Sequence, residues 1–138
     1  MSIVVPFAAG GPTDTVARQV GQAMEKTLGQ PVVVENKPGA GGTLGAADVA
    51  RAQPDGYKVL VWHIGMSTAP ALYRRLSFDP LKDFEYIGLI NDVPMTILAR
   101  NDLPAKDLKE LVAYAKANQG KTTLANAGLG AASHLCGL

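Results

Sequence analysis

The amino-terminal half of the chain alternates short β-branched runs with segments of helical spacing, and this alternation constrains the fold more than any other feature. The strand candidates are Ile3–Phe7, Pro31–Glu35 and Lys58–Trp62. A segment of helical character, bounded by glycine or by a turn sequence, separates each strand candidate from the next. Units of this kind join parallel strands through right-handed crossovers. We therefore predict an α/β fold, with a mostly parallel sheet flanked by helices.

The first helix is the best specified element. A glycine turn, Ala8–Pro12, ends the first strand, and either Thr13 or Asp14 is expected to cap the helix that follows. Gly29 is expected to close that helix in the left-handed conformation. Apolar residues recur every four positions between these limits: Val16, Val20, Met24 and Leu28.

The remaining elements are predicted from shorter patterns and turn signals. Three are helical or flexible: a loop over Gly39–Gly42, a helix over Gly45–Ala52 and a helical turn over Ala69–Arg75. The later part of the chain is expected to contain strands at Glu85–Ile90, Met95–Arg100 and Thr122–Asn126, a helix at Ala105–Asn118 capped near Leu103–Pro104, and a helix start at Gly130–Leu138.

Composition excludes several classes of protein. Thirteen basic and twelve acidic residues give a net charge of +1, without a Lys/Arg block that could follow a nucleic-acid backbone. No apolar run approaches the roughly 18 residues that a membrane-spanning helix needs. No basic stretch followed by an apolar one directs export. The single cysteine, Cys136, cannot form an internal disulfide, and we expect it to be buried.

Three glycine-containing segments follow predicted strands, where ligands bind in open α/β sheets. They are Ala8–Asp14, His63–Thr68 and Ala127–His134. Each combines glycine, which allows the backbone to approach a ligand, with a hydroxyl or imidazole group. Helix N-termini at these positions would add unpaired N–H groups. Together the segments predict an anion site built largely from backbone amides.

Catalytic and nucleotide-binding motifs are missing or incomplete. The glycines of Gly39–Gly45 imitate a dinucleotide fingerprint, but His63 stands where an acidic residue should follow the next strand. Ser133 and His134 are adjacent on a helix and point in different directions. Two alternatives to ligand binding stay open: a small α/β enzyme with His63 or His134 as its acid/base, and an interaction module that uses an exposed sheet edge.

Several motifs resemble the Bug-type receptors of tripartite tricarboxylate transporters, in family order and spacing. The resemblance is carried by Ile3–Asp14, Leu28–Gly42, Pro54–Tyr57, Pro70–Tyr73, Asp79–Phe84, Leu103–Ala105 and Gly128–Leu135. It implies a periplasmic-binding-protein-like domain of type II that captures a small mono- or dicarboxylate in the periplasm for membrane transporter subunits. No cofactor or metal is implied. Residues 1–138 would be the amino-terminal ligand-binding domain of such a receptor, incomplete and without its second domain, and we expect self-association.

The resemblance and the glycine segments together give a set of candidate ligand-binding residues. They are Phe7, Ala9, Gly10, Gly11, Thr13, Asp14, His63, Gly65, Ser67, Gly128, Gly130, Ala131, Ser133 and His134. Two features depart from the family pattern. Ala131 and Ala132 stand where serines are usual, so a hydroxyl contact is lost or moved. The segment Trp62–Met66 is bulkier than the small loop expected there, which favours a larger or flatter carboxylate.

Overall fold

The structure, a computed structural model, describes residues 1–138 and is organised around a small parallel sheet. Its elements in chain order are β1 (Ser2–Val5), α1 (Pro12–Leu28), β2 (Val33–Asn36), a 3₁₀ turn (Ala40–Gly42), α2 (Thr43–Ala50), β3 (Lys58–Leu60), α3 (Gly65–Leu72), α4 (Leu108–Ala117) and α5 (Ala132–Leu135). The predicted helix at Gly45–Ala52 therefore begins earlier, and the predicted loop at Gly39–Gly42 is largely a 3₁₀ turn.

The sheet has three parallel strands in the order β2-β1-β3. Ser2 lies opposite Val33 of β2 on one side and opposite Lys58 of β3 on the other. The central strand is the most buried part of the chain, because Ile3, Val4 and Val5 expose no surface to solvent. This order and direction confirm the predicted parallel sheet with helical crossovers.

Helix α1 covers one face of the sheet through its small residues. Ala17 and Gly21 are buried, and a methyl group added at Gly21 would lie 3.5 Å from Ile3 Cδ1. The apolar residues spaced four apart lie at the edge of this contact, and Leu28 is 51% exposed. Close approach of helix and sheet therefore depends on the absence of large side chains at positions 17 and 21.

The ends of α1 give one correction and one confirmation. The N-cap is Gly11, with Pro12 as the first helical residue, so neither Thr13 nor Asp14 caps the helix as predicted. Proline suits this position because the N–H it lacks would have no partner in the first turn. The C-cap is Gly29 with φ of 63°, which confirms the predicted left-handed glycine.

The opposite face of the sheet packs against α2 and a group of aromatic side chains. Ala46, Ala47 and Phe78 form its buried centre. The Phe78 ring makes edge contacts with Trp62 and Phe84, at centroid distances of 6.2 and 5.6 Å. The sheet is thus enclosed between two layers.

The predicted strands at Glu85–Ile90, Met95–Arg100 and Thr122–Asn126 are wrong. None of these segments pairs with another strand, and every residue from 85 to 100 is exposed. A strand is defined by the partner that satisfies its backbone groups, and here the β-branched composition is present without a partner. The predicted helical turn at Ala69–Arg75 is also misplaced, because α3 begins at Gly65 and ends at Leu72.

The last two helices are shorter than predicted. Helix α4 is capped by Asp107, whose carboxylate accepts from the Glu110 N–H at 2.8 Å, and not near Leu103–Pro104. Helix α5 forms a single turn, and Cys136 after it is exposed, which contradicts its predicted burial. A thiol at the C-cap of a single-turn surface helix has too little structure above it to be covered. None of the helices has the length and apolar content required to cross a membrane.

Candidate functional site

The loop that follows β1 is fixed by hydrogen bonds from the neighbouring strand and helix. Asn36, the last residue of β2, donates through Nδ2 to the Phe7 carbonyl oxygen at 3.1 Å. The Gly10 N–H donates to Asp14 Oδ2 at 2.8 Å, and Gly10 adopts φ of 83°, which glycine tolerates without strain. Pro6 is fully buried at the base of the loop. The loop is therefore held at both of its ends.

The Asp14 carboxylate is buried and faces inward. Besides Gly10, it accepts from Asn36 Nδ2 at 2.9 Å and from Arg18 Nε at 2.9 Å. These hydrogen bonds, with that from Arg18 the strongest influence, lower the pKa of Asp14 from 3.8 to about 2. The carboxylate is thus ionised at neutral pH and already occupied by three donors. Its side chain is only 3% exposed, so it offers little surface to a ligand.

The loop after β3 places an imidazole against the first loop. The His63 ring stacks on the Phe7 ring with centroids 4.6 Å apart and an interplanar angle of 24°. His63 Nδ1 accepts from the Gly65 N–H at 3.0 Å, and burial lowers the pKa of His63 below its usual value. The ring is therefore neutral at neutral pH, with its proton on Nε2. Its Nε2–H group remains available as a hydrogen-bond donor.

The third glycine segment is attached to α3 by two hydrogen bonds. Tyr73 donates from its hydroxyl to the Leu129 carbonyl oxygen at 2.7 Å, and Thr68 Oγ1 donates to the Gly130 carbonyl oxygen at 3.3 Å. Burial raises the pKa of Tyr73, which keeps the phenol protonated as a donor. A methyl group at Gly41 would collide with the Leu129 carbonyl, so the 3₁₀ turn also contacts this segment. The structure thus brings the three predicted loops together at the end of the sheet where the carboxyl ends of its strands lie.

Side chains within the third segment make local contacts that hold its turn. Ser133 Oγ accepts from the Ala127 N–H at 3.0 Å, which leaves the hydroxyl proton free to donate elsewhere. His134 Nδ1 accepts from the Gly130 N–H at 3.4 Å. Ala131 is buried, and Gly128 lies against Gly41. The Gly130 amide, like that of Gly10, therefore already has an intramolecular partner.

Three helices begin at this edge without a side-chain cap. The N-cap residues are Gly11 for α1, Ile64 for α3 and Ala131 for α5. First-turn N–H groups have no partner within the helix, and they bind anions when no side chain caps them. By contrast, α4 lies elsewhere in the sequence and carries its own cap, Asp107. Three of the four uncapped helix starts thus coincide with the three glycine segments, and the fourth, that of α2, follows Gly42 in the 3₁₀ turn.

The remaining candidate residues lie on the rim of the site. Ala9 and Ser67 are exposed, and Ser67 Oγ donates to the Ile64 carbonyl oxygen at 2.9 Å. Thr13 is half-buried in the first turn of α1. The indole nitrogen of Trp62 is buried and has no hydrogen-bond partner. No group of three or more His, Cys, Asp or Glu side chains is arranged to hold a metal ion.

Asn36 and Tyr73 were not predicted from the sequence, although both hold site loops. Asn36 carries a detectable signal, because it is a polar residue at the carboxyl end of a strand, the same criterion that selects the loops after β1 and β3. Tyr73 has no such signal. Its role depends on a contact with a residue 56 positions away, which only the folded chain reveals.

Comparison with known proteins shows the family of the chain. The sequence profile described as "Tripartite tricarboxylate transporter family receptor" matches residues 16–137. The chain belongs to this receptor family. Within the family, it is 57% identical over 137 residues to a UPF0065 protein of Agrobacterium vitis, covering 99% of the chain and 40% of the relative. It is 34% identical to the protein BugT of Bordetella pertussis, covering 98% of the chain and 42% of BugT.

Solved structures confirm the predicted fold class. The periplasmic binding protein BugD superposes with a TM-score of 0.94 at 61% identity, over 99% of this chain and 46% of BugD. MatC from Rhodopseudomonas palustris with bound malate gives 0.90 at 47% identity, over 96% and 45% of the two chains. An R. palustris protein with adipate gives 0.78 at 28% identity, over 95% and 44%. This family member thus spans about 40% of the length of its curated relatives.

Proposed function

We propose that this chain binds a small mono- or dicarboxylate at the end of the sheet where the carboxyl ends of β1 and β3 lie. The observation that carries the proposal is the convergence of three uncapped helix starts with the three glycine segments. The Phe7–His63 stack and the Thr68–Gly130 hydrogen bond hold these segments together. A carboxylate would supply the acceptors that the first-turn N–H groups lack.

The ligand contacts follow from the groups that stay free. Gly11 and Thr13 offer N–H groups at the start of α1, and His63 offers Nε2–H from the opposite loop. Ser133 has a free hydroxyl proton, because its oxygen is used only as an acceptor. The Gly10 and Gly130 amides would contribute only if their bonds to Asp14 and His134 were shared with the ligand.

The ligand class is supported by the relatives. MatC holds malate and the R. palustris relative holds adipate, which are both dicarboxylates. The aromatic side of this site, formed by Phe7, Trp62 and His63, favours a ligand with a flat or extended body over a compact one. We place malate and adipate first among the ligands to test, followed by aromatic acids.

The biological role proposed for the protein is that of a periplasmic receptor that delivers its ligand to the membrane subunits of a tripartite tricarboxylate transporter. The family match supports this role. The periplasmic location is supported by BugD, which is a periplasmic binding protein. No nucleotide or nucleic-acid partner and no enzymatic step belongs to this proposal.

A ligand screen by thermal shift and calorimetry tests the binding proposal. We expect malate, adipate or an aromatic acid to raise the melting temperature in proportion to ligand concentration, because a ligand that binds only the folded state stabilises it. The diamide of each responding acid is the matched control, since it has the same shape without charge and should have no effect. Absence of a response to every carboxylate would contradict the proposal.

Self-association is a second part of the proposal. Residues 85–100 expose large apolar side chains, among them Ile87, Leu89 and Leu98, each more than four-fifths exposed. Large apolar side chains exposed in this number favour association between chains. Size-exclusion chromatography with light scattering should give a mass above that of one chain, and a compact monomer would refute self-association.

A further inference from the structure

Three side chains behind the first loop form a continuous polar cluster: Asp14, Arg18 and Asn36. Arg18 donates from Nε to Asp14 at 2.9 Å and from Nη2 to Asn36 Oδ1 at 3.2 Å. Asn36 Nδ2 lies 2.9 Å from Asp14 Oδ1. The Asp14 side chain is only 3% exposed, whereas that of Arg18 is 54% exposed. The cluster therefore lies at the junction of α1 and β2, with a buried carboxylate at its centre.

This cluster fixes the backbone of the first loop at two points. Asn36 Nδ2 donates to the Phe7 carbonyl oxygen, and Asp14 Oδ2 accepts from the Gly10 N–H. A hydrogen bond from an N–H group to an ionised carboxylate is roughly twice as strong as one between neutral groups. Between the fixed points lie only two residues, Ala8 and Ala9, both exposed. The conformation of the loop is thus set by side chains that do not belong to it.

The fixed loop in turn determines what faces the site. Phe7 carries the ring that stacks on His63, and Gly11, which follows Gly10 directly, is the uncapped N-cap of α1. A rotation of the Gly10 peptide away from Asp14 would move both groups. Asp14 itself cannot contact a ligand anion, because its negative charge would repel the anion and its oxygens are already used.

We propose that Asp14 and Asn36 are positioning residues for carboxylate binding, which hold the Phe7–Gly10 loop in its binding conformation before a ligand arrives. This inference rests on the proposed function. Its physical basis is preorganisation: a loop that is already ordered costs less conformational entropy on binding. Arg18 supports the pair by neutralising the charge of the buried carboxylate.

The test compares Asp14→Asn and Asn36→Ala with a matched control, Asp48→Asn. Asp48 also accepts from two charged side chains, Lys37 at 2.7 Å and Lys58 at 3.0 Å, but it lies on α2 and does not touch the loop. Two quantities are measured on each purified chain well below its melting temperature. They are the malate affinity by calorimetry, and the NMR resonances of the Gly10 amide and the His63 ring without ligand.

We expect Asp14→Asn to weaken malate binding by about tenfold or more, which corresponds to roughly 1.4 kcal/mol, and to shift both resonances. Asn36→Ala should show the same changes with smaller amplitude, since the Gly10–Asp14 bond remains. Asp48→Asn should lower the melting temperature while leaving affinity and both resonances unchanged. Unaltered affinity in Asp14→Asn and Asn36→Ala would overturn the inference.

The NMR measurement separates this inference from the proposed function. If the wild-type chain binds no carboxylate, the proposed function fails, and the unliganded spectra still show whether the two side chains hold the loop. Unchanged Gly10 and His63 resonances in both variants would overturn the positioning role by themselves. If Asp14→Asn does not fold, Asn36→Ala decides the question, because Asn36 is only half-buried and its loss leaves a smaller defect.

Discussion

Two regions of this chain have similar β-branched sequences and different structures. In residues 1–80 the runs around Val4, Val34 and Val59 form a three-stranded sheet, and Val4 is completely buried. In residues 85–100 comparable runs form no strand, and Ile97 and Leu98 are 61% and 90% exposed. The difference lies in the neighbours. Each strand of the sheet has a partner within 60 residues and a helix above it, whereas the second region has neither.

The comparison shows that an apolar β-branched run specifies a strand only in combination with a partner edge and a covering layer. Without them the backbone N–H and C=O groups are satisfied by water, and burial contributes nothing to offset the entropy of ordering the chain. The two regions should therefore respond very differently to the same substitution.

The largest contrast is expected between Ile3→Ala and Ile97→Ala. Ile3 of β1 is fully buried in the core that α1 covers. Its truncation should therefore lower the unfolding free energy by about 2–5 kcal/mol, a figure that includes both the lost burial of the side chain and the cavity left behind. Ile97 is mostly exposed, and its truncation should change stability by less than about 0.5 kcal/mol. Urea unfolding followed by circular dichroism measures both. Equal costs would show that residues 85–100 are packed after all.

A second contrast uses two glycines. A methyl group at Gly45 would lie 2.8 Å from Pro6 Cβ and 3.0 Å from the Lys37 carbonyl oxygen, whereas one at Gly88 would meet no atom within 4 Å. Gly45→Ala should therefore destabilise the chain by roughly 1–3 kcal/mol through overpacking, and Gly88→Ala should be nearly neutral. The same unfolding assay applies, and a neutral Gly45→Ala would mean that α2 can move away from β1.

The helices before and after residues 85–100 should also differ in how they are stabilised. Helix α1 has no side-chain cap and is held by packing, while α4 has no buried residue and begins at the Asp107 cap. Asp107→Ala should destabilise α4 by about 1 kcal/mol, visible as faster amide hydrogen exchange in that helix alone. Thr13→Ala, which removes no cap, should leave exchange in α1 unchanged. Slow exchange in α4 of the Asp107→Ala variant would contradict this difference.

The last contrast concerns how stability depends on acid pH, and it compares two carboxylates. Asp14 has a pKa lowered to about 2 in the folded chain from a usual value of 3.8, so its stabilising contribution is complete above pH 4 and is lost as the pH falls toward 2. Asp14→Asn should therefore remove part of the acid dependence of the melting temperature. The control is Asp102→Asn, because Asp102 pairs with Arg100 on the exposed surface, where ion pairs contribute little to stability. Identical profiles in the two variants would refute the assignment.

The sequence was most informative where local patterns and long-range pairing agree. Gly29 was correctly placed as the end of α1, because a left-handed C-cap requires only local chemistry. The parallel sheet was correctly predicted from alternation alone. The cap of α1 was misplaced by a few residues, since Pro12 starts the helix without help from a side chain. The false strands at residues 85–90, 95–100 and 122–126 show where local patterns were not enough.

The loops that form the candidate site could be predicted from the sequence, but the contacts between their side chains could not. The rule that ligands bind beyond the carboxyl ends of strands selected the segments after β1 and β3, which the structure places side by side through Phe7 and His63. It did not reveal that Asp14 turns inward. That orientation depends on Asn36 and Arg18, and no pattern within a single element indicates such a three-way contact.

The attachment of the third segment to Tyr73 has a consequence for how the chain tolerates changes in length. The Tyr73–Leu129 hydrogen bond closes a loop in which the two residues are 56 positions apart. Closure entropy grows only logarithmically, so doubling such a loop costs about 0.6 kcal/mol. Insertions between residues 85 and 100 should therefore leave the ligand-facing edge intact. We therefore expect that the chain can be lengthened there while the proposed binding surface keeps its shape.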